Sequence, residues 1–228
     1  MKTAGTPSVQ SSPAPTADTA TLILDVAEDL FARHGYNGAS IRDITSASGT
    51  NLGAVTYHFG TKESLLTAIL ERGAAALNRK RTERFALLEQ AGRPPSAEAV
   101  LRAFIEPTYE LLDTPSGIRF LRIQNDISAE RTDVPSDILA AHYDVVARHF
   151  MRLLATVAPH LSSDALAWNF QFILGALLHT LTQPHRFPVH QPGEDARACR
   201  HREMDELVRF LAQALRAPDR LPRSTRPT

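Results

Sequence analysis

From Thr19 onward the apolar residues recur at three- and four-residue intervals, and nowhere do they alternate over a useful length, so the pattern predicts helices. Leu22, Ile23, Val26, Ala27, Leu30 and Phe31 form the first stripe. Asp18 or Thr19 is placed to cap that helix, and Gly35 after His34 to stop it. Ser40 with Asp43 three positions on suits a capping box for a short second helix that buries Ile41 and Ile44 and ends near Gly49. Asn51 opens a third short helix, whose inner face reads as Leu52, Val55 and Phe59. A fourth begins near Lys62, carries Leu65, Leu66, Ile69 and Leu70, and runs to about Glu89.

Beyond the GRPPS break at 92–96, further helices are expected at roughly 96–113, 116–130, 136–157, 163–182 and 200–216. Pro115, Pro135, Pro159 and PHRFPVHQPG at 184–193 separate them. Residues 1–18, built of Ser, Thr, Ala and Pro, read as a disordered arm, and 217–228 as a flexible tail. The expected fold is all-α with about nine helices, divided into a domain over 19–66 and a larger one over 67–216.

Composition narrows the class. Lys+Arg and Asp+Glu are both 25, so net charge names no partner, and 43% hydrophobic residues suit a globular core. The single cysteine, Cys199, excludes an internal disulfide and fits a reducing compartment. No apolar run approaches the roughly 20 residues that cross a bilayer, and no signal-peptide pattern opens the chain; a soluble cytoplasmic protein without membrane contact is expected. Nine His invite a metal reading, but there is no HExxH, no paired short-spaced Cys/His set and no Gly-rich phosphate loop. Cys199-x-His201-x-Glu203, the densest cluster, reads as solvated helix capping. No metal, cofactor or catalytic residue is expected.

Three helices of about 15, 8 and 8 residues have the proportions of a helix-turn-helix, in which the second short helix enters the major groove and the others hold it up. With Leu52, Val55 and Phe59 inward, Gly53, Ala54, Thr56, Tyr57 and His58 would face out. Gly53 and Ala54 would allow close approach to DNA, Thr56, Tyr57 and His58 could donate to phosphates, and Lys62 stands at the next helix N-terminus. Thr50 and Asn51 are the polar groups placed to reach a base edge.

The stretch ILDVAEDLFARHGYNGASIRDITSASGTNLGAVTYHFGTKESLLTAIL resembles the N-terminal domain of the TetR family of transcriptional repressors, through its G-Y-x-G-A-S turn, I-x-x-I, and Y-H-F-x-x-K-E-x-L. The resemblance implies that Ser40 caps the second helix and touches a phosphate. It likewise implies backbone contacts from Tyr57, His58 and Lys62, and a groove-facing surface of Gly53, Ala54 and Thr56. Thr56 stands where many members carry an aromatic. Charge runs the other way: residues 19–71 hold three basic and six acidic side chains, a net of −3, so modest non-specific affinity is expected.

In the C-terminal half, WNFQFILGALLH at 168–179 is similar to the dimer-helix region of several members. Leu166, Phe170, Ile173, Leu174, Gly175, Leu177, Leu178 and Leu181 on one helix, with Met204, Leu207, Val208, Leu211 and Leu215 on the next, would pair with a second copy. The alternative is that the two helices simply pack on each other. Phe104, Tyr109, Arg119, Arg122, Gln124, His142, Tyr143, Trp168 and Phe172 are candidates for an effector cavity, with core packing as the competing reading. A buried Arg122 would call for an acidic or acyl effector.

The expected function is therefore a homodimeric regulator bound to a pseudo-palindromic double-stranded operator, a repressor released by an unidentified small-molecule effector. A corepressor-dependent regulator or activator is the alternative; a ligand-sensing dimer without DNA binding, or an enzyme, is more remote.

Overall fold

The computed structural model describes residues 17–129, 136–182 and 193–219. The arm at 1–16, the 183–192 segment and most of the C-terminal tail lie outside the described residues. Nine α-helices follow one another among the described residues: α1 Ala17–Gly38, α2 Ile41–Ser48, α3 Leu52–Phe59, α4 Lys62–Gln90, α5 Ala97–Glu110, α6 Pro115–Ala129, α7 Ser136–Val157, α8 Ser163–Thr182 and α9 Ala196–Leu215. A 3-10 turn, Leu111–Asp113, links α5 to α6, and no strand occurs among the described residues.

Local chemistry sets these bounds. Ser40 and Asp43 close a reciprocal capping box, with Asp43 N donating to Ser40 Oγ (3.2 Å) and Ser40 N to Asp43 Oδ2 (2.8 Å). Gly49 ends α2 in the left-handed region (φ 65°), a conformation costly for a residue with a Cβ. Asn51 Oδ1 accepts from Ala54 N at 2.9 Å, and Thr61 Oγ1 from Ser64 N at 3.0 Å. Asp18 and Thr19 both lie inside α1, because the helix already runs at Ala17; neither is its cap. Asp195, not a residue near 200, caps α9, its carboxylate accepting from Arg197 N and Ala198 N at 2.8 Å each.

Two hydrophobic clusters hold the helices. The first unites Ile23, Ala27 and Phe31 of α1, Ile44 of α2, Val55 of α3 and Leu65, Leu66, Ile69 and Leu70 of α4 with Phe120, Ile123 and Ile127 of α6. The second is built from Phe85 of α4, Leu101, Phe104 and Ile105 of α5, Phe150 and Leu154 of α7, Ile173 and Leu177 of α8 and Val208, Leu211 and Leu215 of α9. The 29-residue α4 joins them. Although α6 lies far along the chain, its apolar face belongs to the first cluster, tying the short helices to the rest. At Gly73 of α4 a Cβ would stand 2.2 Å from the Phe120 ring, so only glycine lets α6 come this close.

A buried carboxylate reinforces that contact. Glu28 of α1, 2% exposed, accepts from Ser116 Oγ and Arg119 Nε at 2.9 Å each and pairs with Arg72 of α4, which also bonds Asp25 at 2.6 Å. Three helices thus share one charge. In the second cluster Phe104 and Phe150 stack at 4.1 Å, and the buried Arg81 guanidinium lies 3.8 Å from the Phe104 ring centre. Arg81 also donates to Phe104 O and Thr108 Oγ1 at 2.9 Å each, beside Pro107, whose ring disturbs the α5 ladder.

Candidate nucleic-acid interface

The short helix α3 has two unequal sides. At about 100° per residue, Ala54, Val55, His58 and Phe59 fall on one arc, and all four are buried or half-buried. Leu52, Gly53, Thr56 and Tyr57 fall on the opposite arc, and all four are exposed, Leu52 at 63% and Tyr57 at 74%. This corrects the sequence reading at three places. Leu52 points out rather than in; Ala54 is buried at 8% and offers no surface to a groove; and His58 turns in, its Nε2 having neither accessible surface nor a hydrogen-bond partner. The template Leu52, Val55, Phe59 fits a helix as well as Ala54, Val55, His58, Phe59 does. What decides is the packing of α3 against α1, α2 and α4, which buries Ala54 and leaves Leu52 outside.

The polar candidates are mostly engaged locally. Ser40 donates its hydroxyl to Asp43 Oδ2 at 2.6 Å, and that bond with the capping bonds holds the Asp43 carboxyl below the usual carboxylate range. Thr50 Oγ1 lies 2.8 Å from Ser48 Oγ, and Asn51 spends its amide oxygen on the cap. Lys62, half-buried, sets its Nζ 4.3 Å from the Tyr36 ring centre and 5.8 Å from that of Phe31; burial draws its ammonium below the ordinary lysine range. Thr56 and Tyr57 present their side chains to solvent. Arg42, exposed in the first turn of α2, is a further cation on this side that the helix-turn-helix pattern alone does not single out. Its signal was there: a cation at a helix N-terminus opposes the helix dipole and wants an outside anion.

Among the described residues the effector candidates do not converge on one cavity. Phe104 is core, Tyr109 donates to Glu203 Oε1 at 2.9 Å between α5 and α9, and Arg119 serves Glu28. Arg122 is exposed, which removes the argument for an acidic effector, and Gln124 is half-buried. Trp168 (56% exposed) and Phe172 (63%) stack on the outside of α8 with ring centres 5.9 Å apart. The side chains of His142 and Tyr143 lie outside the described residues. A cleft of about 480 Å³ does open between α1, α4 and α6, lined by Arg72, Ala76, Leu111, Ser116, Arg119 and Phe120.

The dimer stripe also needs correction. Leu166, Ile173, Leu177, Met204, Leu207, Val208, Leu211 and Leu215 are all buried within one chain, and Phe170, Leu174 and Leu181 pack against the same core. Leu178 is half-buried. Of that stripe Gly175 stays on the outside, and it shares the outward face of α8 with Trp168, Gln171 and Phe172. Beside it runs a groove of about 460 Å³ shared with Ala214, Ala217 and Pro218 of the α9 end, with Phe210 (66% exposed) one turn before Ala214. Cys199 is buried, not solvated, and no group of three metal-ligating side chains forms among the described residues. No helix among them is long and apolar enough to cross a membrane.

A three-helix head carrying one exposed helix arc, mounted on a larger helical body, defines a helix-turn-helix transcriptional regulator. Residues 23–69 match the family described as bacterial regulatory proteins, tetR family, and residues 102–214 a tetracyclin repressor-like C-terminal domain. The transcriptional repressor AcnR of Corynebacterium glutamicum is 29% identical over 173 residues, covering 68% of this chain and 90% of the relative. The transcriptional repressor Rv1474c of Mycobacterium tuberculosis is 30% identical over 153 residues, covering 59% and 81%. A tetR-family regulatory protein from Rhodococcus RHA1 shares the fold, with a TM-score of 0.60 at 20% identity over 86% of this chain and 98% of that one. The chain belongs to the TetR family, and it is a DNA-binding regulator of transcription.

Proposed function

We propose that two copies of this chain pair through the outer face of α8 and α9 and present two α3 helices to the successive major grooves of a pseudo-palindromic operator. The observation that carries this reading is the exposed arc of Leu52, Gly53, Thr56 and Tyr57 on a helix otherwise buried against three others. Tyr57 and Arg42 supply phosphate contacts, and Lys62 braces the turn from which α4 departs. Two relatives, AcnR and Rv1474c, are transcriptional repressors, which supports repression as the sign of regulation. Acting on the chromosome places the protein in the cytoplasm.

Release by a small molecule fits the way the helices are coupled. A ligand that shifts α6 against α1 would disturb the shared charge at Glu28 and change the spacing of the two heads, which must match half-sites about 34–36 Å apart. A differential affinity of roughly 1–3 kcal/mol between the two arrangements is enough for a useful response. Pairing through Trp168, Phe172 and Phe210 is testable with Phe172→Arg. Sedimentation velocity should show a monomer with unchanged helix content, and operator affinity should fall at least tenfold. A Phe172→Arg dimer that binds DNA normally would overturn the assigned face.

A further inference from the structure

The exposed arc of α3 contains none of the side chains that grip a base with two hydrogen bonds. Arginine or lysine on guanine and asparagine or glutamine on adenine are the usual readers, whereas this arc offers Leu52, Gly53, Thr56 and Tyr57. Asn51, just before it, has its amide oxygen committed to Ala54 N. Yet a feature of the arc is apolar. Leu52, the first residue of α3, is 63% exposed, and Thr56, one turn on along the same face, adds a methyl group. Gly53 beside Leu52 adds no side chain, so that side of the leucine is left open to an approaching surface. The hydrocarbon that a major groove displays on its base edges is the thymine 5-methyl group.

We infer that Leu52 is a specificity-determining residue that reads a thymine methyl in each half-site, so that the operator is recognised through hydrocarbon contact at that position rather than through a guanine-directed hydrogen-bond fork. This rests on the proposed DNA reading and extends it to the base. A lone exposed leucine is ordinary on a protein surface; this one stands at the leading end of the helix that faces the groove. Its partner chemistry is specific, because uracil offers the same hydrogen-bonding edge as thymine without the methyl.

The test uses the full chain and a duplex recovered by selection from random-sequence DNA. Each thymine is replaced in turn by deoxyuridine, and binding is measured for the wild type, Leu52→Ala and Thr56→Ser. One position per half-site should cost the wild type about three- to fivefold, the loss expected for one buried methyl. Leu52→Ala should bind the thymine duplex more weakly and show no deoxyuridine effect there, while Thr56→Ser keeps it. No sensitive position, or one that persists in Leu52→Ala and vanishes in Thr56→Ser, overturns the assignment to Leu52 and leaves DNA binding standing. Failure to recover any duplex overturns the DNA reading and this inference with it.

Discussion

Lys62 places its ammonium 4.3 Å from the centre of the Tyr36 ring, and Tyr36 in turn meets Phe31 edge-on at 5.5 Å. A cation at a helix N-terminus is unfavourable on its own, and burial makes it worse; the aromatic face offsets both. The residue thereby locks the α3–α4 turn onto α1, which is where the aim of α3 is set. A double-mutant cycle of Lys62→Met and Tyr36→Leu, read by urea unfolding, should give a coupling of about 0.5–1 kcal/mol. Additive effects would mean that the stacked geometry contributes nothing. From sequence, Lys62 was visible as a cation near DNA, but its ring partner, 26 positions back, was not, since spacing along a chain says nothing about which turn lies over which.

At the scale of elements, caps and helix positions were largely legible because they depend on neighbours. Ser40 with Asp43, Gly49 and Asn51 each act within four residues. Phase and partnership were not. The inward faces of α3 and α8 each admitted two templates, and only the helices packed against them choose. The same limit hid the role of α6, whose Ser116 and Arg119 meet Glu28 some 90 positions away. Glu28→Gln keeps the shape and removes the charge, leaving Arg119 and Arg72 facing a neutral amide in a mostly buried site. It should lower stability by roughly 2–3 kcal/mol, measured as a reduced urea midpoint with unchanged m. A loss under about 0.5 kcal/mol would show that the α1–α6 contact is held by Phe120, Ile123 and Ile127 alone.

For the whole molecule the electrostatics are unusual for a DNA binder. Four acidic side chains of the head are occupied: Glu28 and Asp25 by Arg72, Asp29 by Arg33, Asp43 by the α2 cap. Among the described residues of the head Arg42 is the cation left to meet phosphate, since Lys62 is held on the Tyr36 ring, which makes two per dimer and a salt slope of about −2. Affinity must then come from two heads engaging together and from contacts that salt does not screen, Tyr57 and Leu52 among them. The measurement that tests this most directly is a nuclease footprint of the purified protein on DNA flanking its own coding sequence, at rising salt, beside Tyr57→Ala. Protection of two half-sites one helical turn apart is expected, with a shallow salt dependence and at least a tenfold loss in Tyr57→Ala at an unchanged thermal midpoint. Protection that is unaffected by Tyr57→Ala, or a single unpaired half-site, would contradict this reading.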